Sequence, residues 1–159
     1  MAEATTGVLE RRLQTRPVVD PVYRATLNLQ LAAAQWETDF AELLSPEGLS
    51  SSALNVLRIL RGQPEGHPRG EIRRRLVYPN ADVTRIIDRL TRRGLVERTR
   101  SPRDRRLSVT RITPKGLKVV AKLLDPIDAL VTRYRKKLSV DEYRELNRLL
   151  EKLYGDAVE

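Results

Sequence analysis

Asp104 stands two residues before Arg106 in the stretch SPRDRRLSVTRITPKG, residues 101–116, with Arg103 and Arg105 on either side of the acid. A carboxylate at that spacing can brace a neighbouring guanidinium and hold the long side chain extended, which cuts the entropy lost on docking. Arginine is the side chain favoured by the strong negative potential of a narrow nucleic-acid minor groove. Arg98, Arg100, Arg103 and Arg105 surround the pair and suit phosphates. Many exposed loops are basic, so charge alone also allows a plain solvated surface.

A second set lies on ADVTRIIDRLTRRG, residues 81–94. Val83, Ile86, Ile87 and Leu90 fall at i, i+3, i+4 and i+7, which makes one face of a helix apolar. Asp82, Thr84, Arg85 and Arg89 then point away from the core. An α-helix fits the major groove, where arginine makes bidentate contacts to guanine. Arg92 and Arg93, at the far end, suit phosphate or solvent. The bland alternative is a salt-bridged surface, with Arg85 pairing Asp88 or Asp82 and Arg89 pairing Asp88 or solvent.

Charge placement supports a polyanionic partner. The chain has 159 residues and a net charge of +9. Between Arg58 and Lys118 there are eighteen Lys/Arg against six Asp/Glu, a net of +12, while the remainder is net −3. A basic centre between neutral or acidic flanks is the pattern of a nucleic-acid-binding module. An RNA role fits the charge, but aromatics at 4% offer few stacking platforms for single strands.

Other chemistries are poorly provided for. Cysteine is absent, which excludes disulfides, thiol switches and thiolate metal sites. The single histidine, His67, lies in the loop QPEGHPRG without an evident partner, and there is no phosphate-binding glycine motif. No catalytic residue, metal site or cofactor is therefore expected. No apolar run approaches the ~20 residues of a membrane span and the N-terminus lacks a secretory core, so the chain reads as cytoplasmic with no membrane partner.

These side chains need elements to hold them. Residues 1–17 read as a loosely ordered tail with at most a short helical turn, and residues 18–159 as one domain. A helix is expected from Pro21 to Leu44, with proline in its first turn. It carries two apolar stripes, Leu29, Ala33, Trp36, Phe40, Leu43 and Leu27, Leu31, Ala34, so it must be buried on two sides. A partner subunit supplies the second side most easily, and Trp36 and Phe40 read as core or interface rather than as a cavity lining. SSSALNVLRILRG is a shorter helix capped near Ser50 and stopped at Gly62. EIRRRL places Ile72 and Leu76 inward, and Gly94 stops the next helix.

LVERTR and LSVTRI read as the two strands of a hairpin with an over-long tip. From Thr113 an apolar pattern runs through Val120, Leu123, Leu124, Ile127, Leu130, Val131, Tyr134 and Leu138, with Pro126 expected to kink or divide it. Ser139 and Glu142 form a capping box, and Leu138 with Tyr143 the matching staple. Tyr143, Leu146, Leu150 and Leu153 continue the last helix. The fold expected is mainly α with a small β-hairpin wing: a winged helix-turn-helix over about residues 50–116, between helices at about 18–45 and 117–154.

The stretch ADVTRIIDRLTRRGLVERTRSPRDRRLSVTRITPKG resembles the core of the MarR (multiple antibiotic resistance regulator) family of prokaryotic transcription regulators. Those proteins carry V-T-x-x-x-D-x-L-x-x-x-G-L-V-x-R, then D-x-R, then L-T-x-x-G. Asp104, Arg106, Thr113 and Gly116 stand at the matching positions. The match is closest over residues 71–116, and the helix order extends it to about 18–154. Ile112 replaces the usual leucine before Thr113, and RRLVYPNADVT differs from the commoner small-residue entry to the recognition helix.

The resemblance implies a homodimer built from the first helix and the last two, whose paired winged domains read a pseudo-palindromic double-stranded DNA site. Leu29, Trp36, Leu130, Tyr134, Leu146 and Leu150 are the expected dimerisation residues. It implies Arg106 as the minor-groove residue and base reading by the start of the recognition helix. A repressor relieved by a small aromatic or lipophilic effector is the expected function, although no residue can be assigned to an effector pocket. The alternative is a non-sensing architectural DNA binder with the same fold, which would coat DNA uniformly instead of protecting short palindromes.

Overall fold

Asp20 opens the longest helix by accepting hydrogen bonds from Val22 N at 2.7 Å and Tyr23 N at 3.0 Å, with Pro21 in the first turn. The computed structural model describes residues 7–15, 17–78, 80–100 and 108–155. Its elements are α1 (Val8–Leu13), α2 (Pro21–Leu44), α3 (Ser51–Arg61), α4 (Arg69–Arg74), α5 (Val83–Arg92), β1 (Val96–Arg100), β2 (Ser108–Ile112), α6 (Pro114–Lys122), α7 (Leu124–Arg135) and α8 (Val140–Tyr154), with a 3₁₀ turn at Ser45–Glu47 after α2. The chain is thus mainly helical with one two-stranded hairpin. Among the described residues no helix is long and apolar enough to cross a membrane.

The core gathers where α3, α5, α6, the foot of the hairpin and the C-terminal end of α2 meet. Leu44, Leu54, Val56, Leu57, Leu60, Ile72, Ile87, Leu90 and Leu95 are all buried there. Ser50 caps α3 by accepting from Ala53 N at 3.2 Å. Pro68 sits ahead of α4, which starts at Arg69 rather than at Glu71 and buries Ile72. Val83, Ile87 and Leu90 bury the inner face of α5.

Gly94 ends α5 with φ at +68°, a conformation that costs a residue bearing a Cβ, and Leu95 N then reaches back to Leu90 O at 2.9 Å. The hairpin is antiparallel, pairing Val96 with Ile112 and Arg100 with Ser108. Its foot is tight. A Cβ at Gly116 would lie 2.2 Å from Leu95 O, so the start of α6 tolerates only glycine against the chain leaving α5. Thr113 locks the same corner by donating its hydroxyl to Gly94 O at 2.7 Å while accepting from Gly116 N at 3.1 Å.

Pro126 divides the apolar run after Thr113, but the break falls three residues earlier, at Leu123, which closes α6 and opens α7. Proline in a helix interior would clash with the preceding turn, whereas in the first turn its missing N–H is not needed. Ser139 and Glu142 form the capping box of α8, with Ser139 N donating to Glu142 Oε2 at 2.8 Å.

The N-terminal segment read as a tail carries α1, where Leu9 and Glu10 are buried. Arg24 on α2 forms an ion pair with Glu10, and Gly7 N donates to its Oε2 at 3.0 Å. These bonds hold the Glu10 carboxyl at about 2, well below the ordinary value, with the Arg24 hydrogen bond as the largest cause.

Leu130 is 5% exposed inside the chain's own core, because α7 turns this residue toward the cluster that includes Phe40 and Leu44. Leu130 thus packs within the core of its own chain.

Candidate nucleic-acid interface

The inner stripe of α5 fixes the direction of its outer one. With Val83, Ile87 and Leu90 buried, Thr84, Arg85 and Arg89 stand exposed on the opposite side. Neither Arg85 nor Arg89 is in an ion pair among the described residues. That separates them from the salt-bridged alternative, because the two acids that could have neutralised them are engaged elsewhere. Asp82 caps α5 by accepting from Arg85 N at 3.0 Å. Asp88 pairs with Arg98 of β1, Nη2 to Oδ1 at 2.5 Å.

Asp82 thus has a capping task that its exposed position did not reveal, and Arg98 is committed to α5. Arg100 is exposed at the end of β1, opposite Ser108. Arg103, Asp104, Arg105 and Arg106 lie outside the described residues.

Two further arginines enter that sequence reasoning did not single out. Arg69 of α4 donates to the Thr84 hydroxyl at 3.2 Å. With Gly70, Arg73, Asn80, Asp82 and Thr84 it lines an open groove of about 580 Å³ between α4 and the start of α5. The run of basic residues from Arg69 to Arg75 was the available signal, but only packing of α4 on α5 places it beside Thr84. Arg93, by contrast, leaves the set expected to meet phosphate or solvent. Its guanidinium donates to Gly48 O at 2.8 Å and Glu47 O at 2.6 Å, tying the C-terminal end of α5 to the turn after α2.

His67 is buried beside the hairpin. Its backbone pairs with Thr110 in both directions, at 3.0 and 2.9 Å, adding a bridge along β2. The imidazole Nε2 finds no hydrogen-bond partner among the described residues. Burial first, then the Arg75 charge, pushes its pKa down, so it stays neutral at neutral pH. Among the described residues no group of three His, Asp or Glu side chains is placed to hold a metal ion.

Of the residues expected at a dimer surface, Leu29 and Leu146 are exposed and Leu150 is partly buried. Trp36 and Tyr134 are partly buried in an aromatic cluster within the chain: Trp36 stacks on Phe40 with centroids 5.6 Å apart and meets Tyr134 edge-on at 5.1 Å. The Tyr134 hydroxyl donates to Asp39 Oδ2 at 3.0 Å, and burial with that bond raises its pKa.

A helix with a free arginine face, a supporting basic helix and an adjoining hairpin is the geometry of a winged helix-turn-helix. A family model described as the MarR family matches residues 47–107. The MarR transcription factor from Planctomyces limnophilus is 36% identical, covers 84% of this chain and 98% of its own, and superposes with a TM-score of 0.64. The chain belongs to the MarR family. The transcriptional repressor IacR of Pseudomonas putida is 31% identical over 120 residues, which span 76% of this chain and 71% of that protein. The PcaV transcriptional regulator from Streptomyces coelicolor, solved in complex with its natural ligand, is 25% identical with a TM-score of 0.70, covering 91% of this chain and 100% of its own. As a MarR-family winged-helix protein, the chain is a DNA-binding transcription regulator and not an enzyme.

Proposed function

We propose that this MarR-family regulator acts in the cytoplasm as a homodimeric repressor that reads a pseudo-palindromic operator and is released by a small aromatic or lipophilic effector. The observation that carries the reading is the free arginine face of α5. Arg85 and Arg89 are exposed over a buried apolar stripe, beside a hairpin whose foot is rigidly built. In this reading Arg85, Arg89 and Thr84 enter the major groove and Asp82 orients the helix as its cap. Arg100, Arg103 and Arg105 meet phosphates, and Arg106, braced by Asp104, enters the adjacent minor groove.

Dimerisation is supported by apolar surface at both ends of the chain. Leu29 on α2 and Leu146, Leu149 and Leu153 on α8 are exposed, and α8 has no buried residue in the isolated chain. A helix with an apolar face and nothing buried needs a partner to repay its ordering. Repression and effector release rest on the relatives: IacR is a repressor and PcaV was solved with its natural ligand.

Nuclease footprinting over genomic fragments, combined with sedimentation equilibrium, tests the proposal. Short protected palindromes and a dimer of the 18.2 kDa chain are expected. Uniform protection along the DNA, or a folded monomer at micromolar concentration, overturns it.

A further inference from the structure

The turn that enters α5 is hydrogen-bonded to α2. Tyr78, in that turn, donates its hydroxyl to Glu37 Oε1, and Ser51 at the start of α3 donates to Glu37 Oε2 at 2.9 Å. Both Glu37 and Tyr78 are half-buried, so the pair is sheltered from competing water. On the other side of the turn, Val77 N donates to Asn55 Oδ1 of α3 at 2.9 Å. Ala81 N then reaches Tyr78 O at 3.1 Å, and the next residue, Asp82, caps α5 through Arg85 N. The path from Glu37 to the backbone of Arg85 therefore runs through consecutive hydrogen bonds and one peptide step.

The far end of α5 has its own tie, from Arg93 to the carbonyls of Glu47 and Gly48. The reading helix is thus held at both ends by α2 and the turn that follows it. Such ties set the pitch at which exposed side chains leave the surface, and groove contacts are sensitive to that pitch because bidentate bonds demand both distance and angle.

We infer that Glu37 and Tyr78 are positioning residues for operator reading: they touch no DNA, and they fix the entry of α5 so that Arg85 meets its base edge. The inference rests on the reading of Arg85 proposed above. Burial and the bond to Glu37 raise the Tyr78 pKa, so its hydroxyl remains a donor across the neutral range.

The test uses the full chain and two duplexes, one selected from a random-sequence library by the unsubstituted protein and one unselected. Binding is measured by fluorescence anisotropy at one salt concentration. Tyr78→Phe keeps the ring and removes only the hydroxyl. It is expected to weaken binding to the selected duplex by roughly two- to tenfold, the size of one hydrogen bond, and to leave the unselected duplex within about twofold.

A bond that only stabilised the fold would weaken both duplexes alike. In an Arg85→Ala background the same change is expected to cost less than about twofold, because the side chain being aimed is gone. Glu37→Gln, which keeps an oxygen acceptor for Tyr78, is expected to retain more specificity than Glu37→Ala. Equal loss on both duplexes, full additivity with Arg85→Ala, or no rescue by glutamine overturns the inference. If Arg85→Ala alone preserves the selected-to-unselected ratio, the base-reading role of Arg85 fails instead, and the two failures are told apart.

Discussion

Arg98 on β1 places its guanidinium 2.5 Å from the Asp88 carboxylate on α5, so the hairpin is tied to the outer side of the reading helix. Both partners are about half exposed, and a pair in that setting contributes little to stability. Its effect is on charge: one arginine of the hairpin is neutralised before DNA arrives. Asp88→Asn is expected to leave folding intact, raise affinity for unselected DNA and steepen the slope of log K against log salt by about one. Titrations between about 50 and 200 mM salt check it, a range over which a protein meeting roughly 6–10 phosphates loses about 10³–10⁵ in affinity. An unchanged slope would mean that released Arg98 does not reach a phosphate.

Arg85 is exposed on the first turn of α5, with its backbone N–H held by the Asp82 cap. Arg85→Ala is expected to cost about 1–3 kcal/mol on a selected duplex and much less on random sequence. Competition binding at fixed salt measures the ratio, and a uniform loss would mark Arg85 as a phosphate contact.

Arg106 is expected to read groove width rather than base identity. Arg106→Ala should weaken binding most where the operator flanks are A/T-rich, and G/C flanks should mask the defect. Asp104→Ala should give the same pattern in milder form, since the guanidinium survives without its brace. Parent-like binding of Arg106→Ala to A/T-flanked, G/C-flanked and random duplexes would show the tip to be a solvated loop.

The Glu10 carboxyl is held at about 2 against an ordinary value of 4.5. A lowered carboxylate pKa adds stability above the ordinary value and surrenders it as pH falls through the folded one. Docking of α1 on α2 should therefore weaken progressively from about pH 4.5 toward about pH 2. Glu10→Gln should show the weakened state already at neutral pH. Amide-exchange protection over residues 8–13, corrected for intrinsic rates, measures both, and a pH-independent parent would refute the ion pair as the docking force.

What the sequence alone determined is whatever neighbours in the chain decide. The Pro21 start, the Ser139–Glu142 box and the stop at Gly94 are signals spanning a few residues, and all three form as read. The i, i+3, i+4, i+7 spacing of α5 was sufficient to say which of its faces is buried and hence that Arg85 and Arg89 are exposed. Tertiary structure decided the partners. An apolar stripe demands burial without saying against what, and Leu130, read as a dimerisation residue, is packed in the core of its own chain. An arginine carries the same charge whether it faces DNA or a carbonyl. Arg93 is taken by a turn 45 residues away, Arg98 by an acid ten residues back, and Tyr78 by a glutamate 41 residues upstream. Side chains with several donors take whichever acceptor the fold brings within 3 Å or so, and that choice exists only once distant elements have packed.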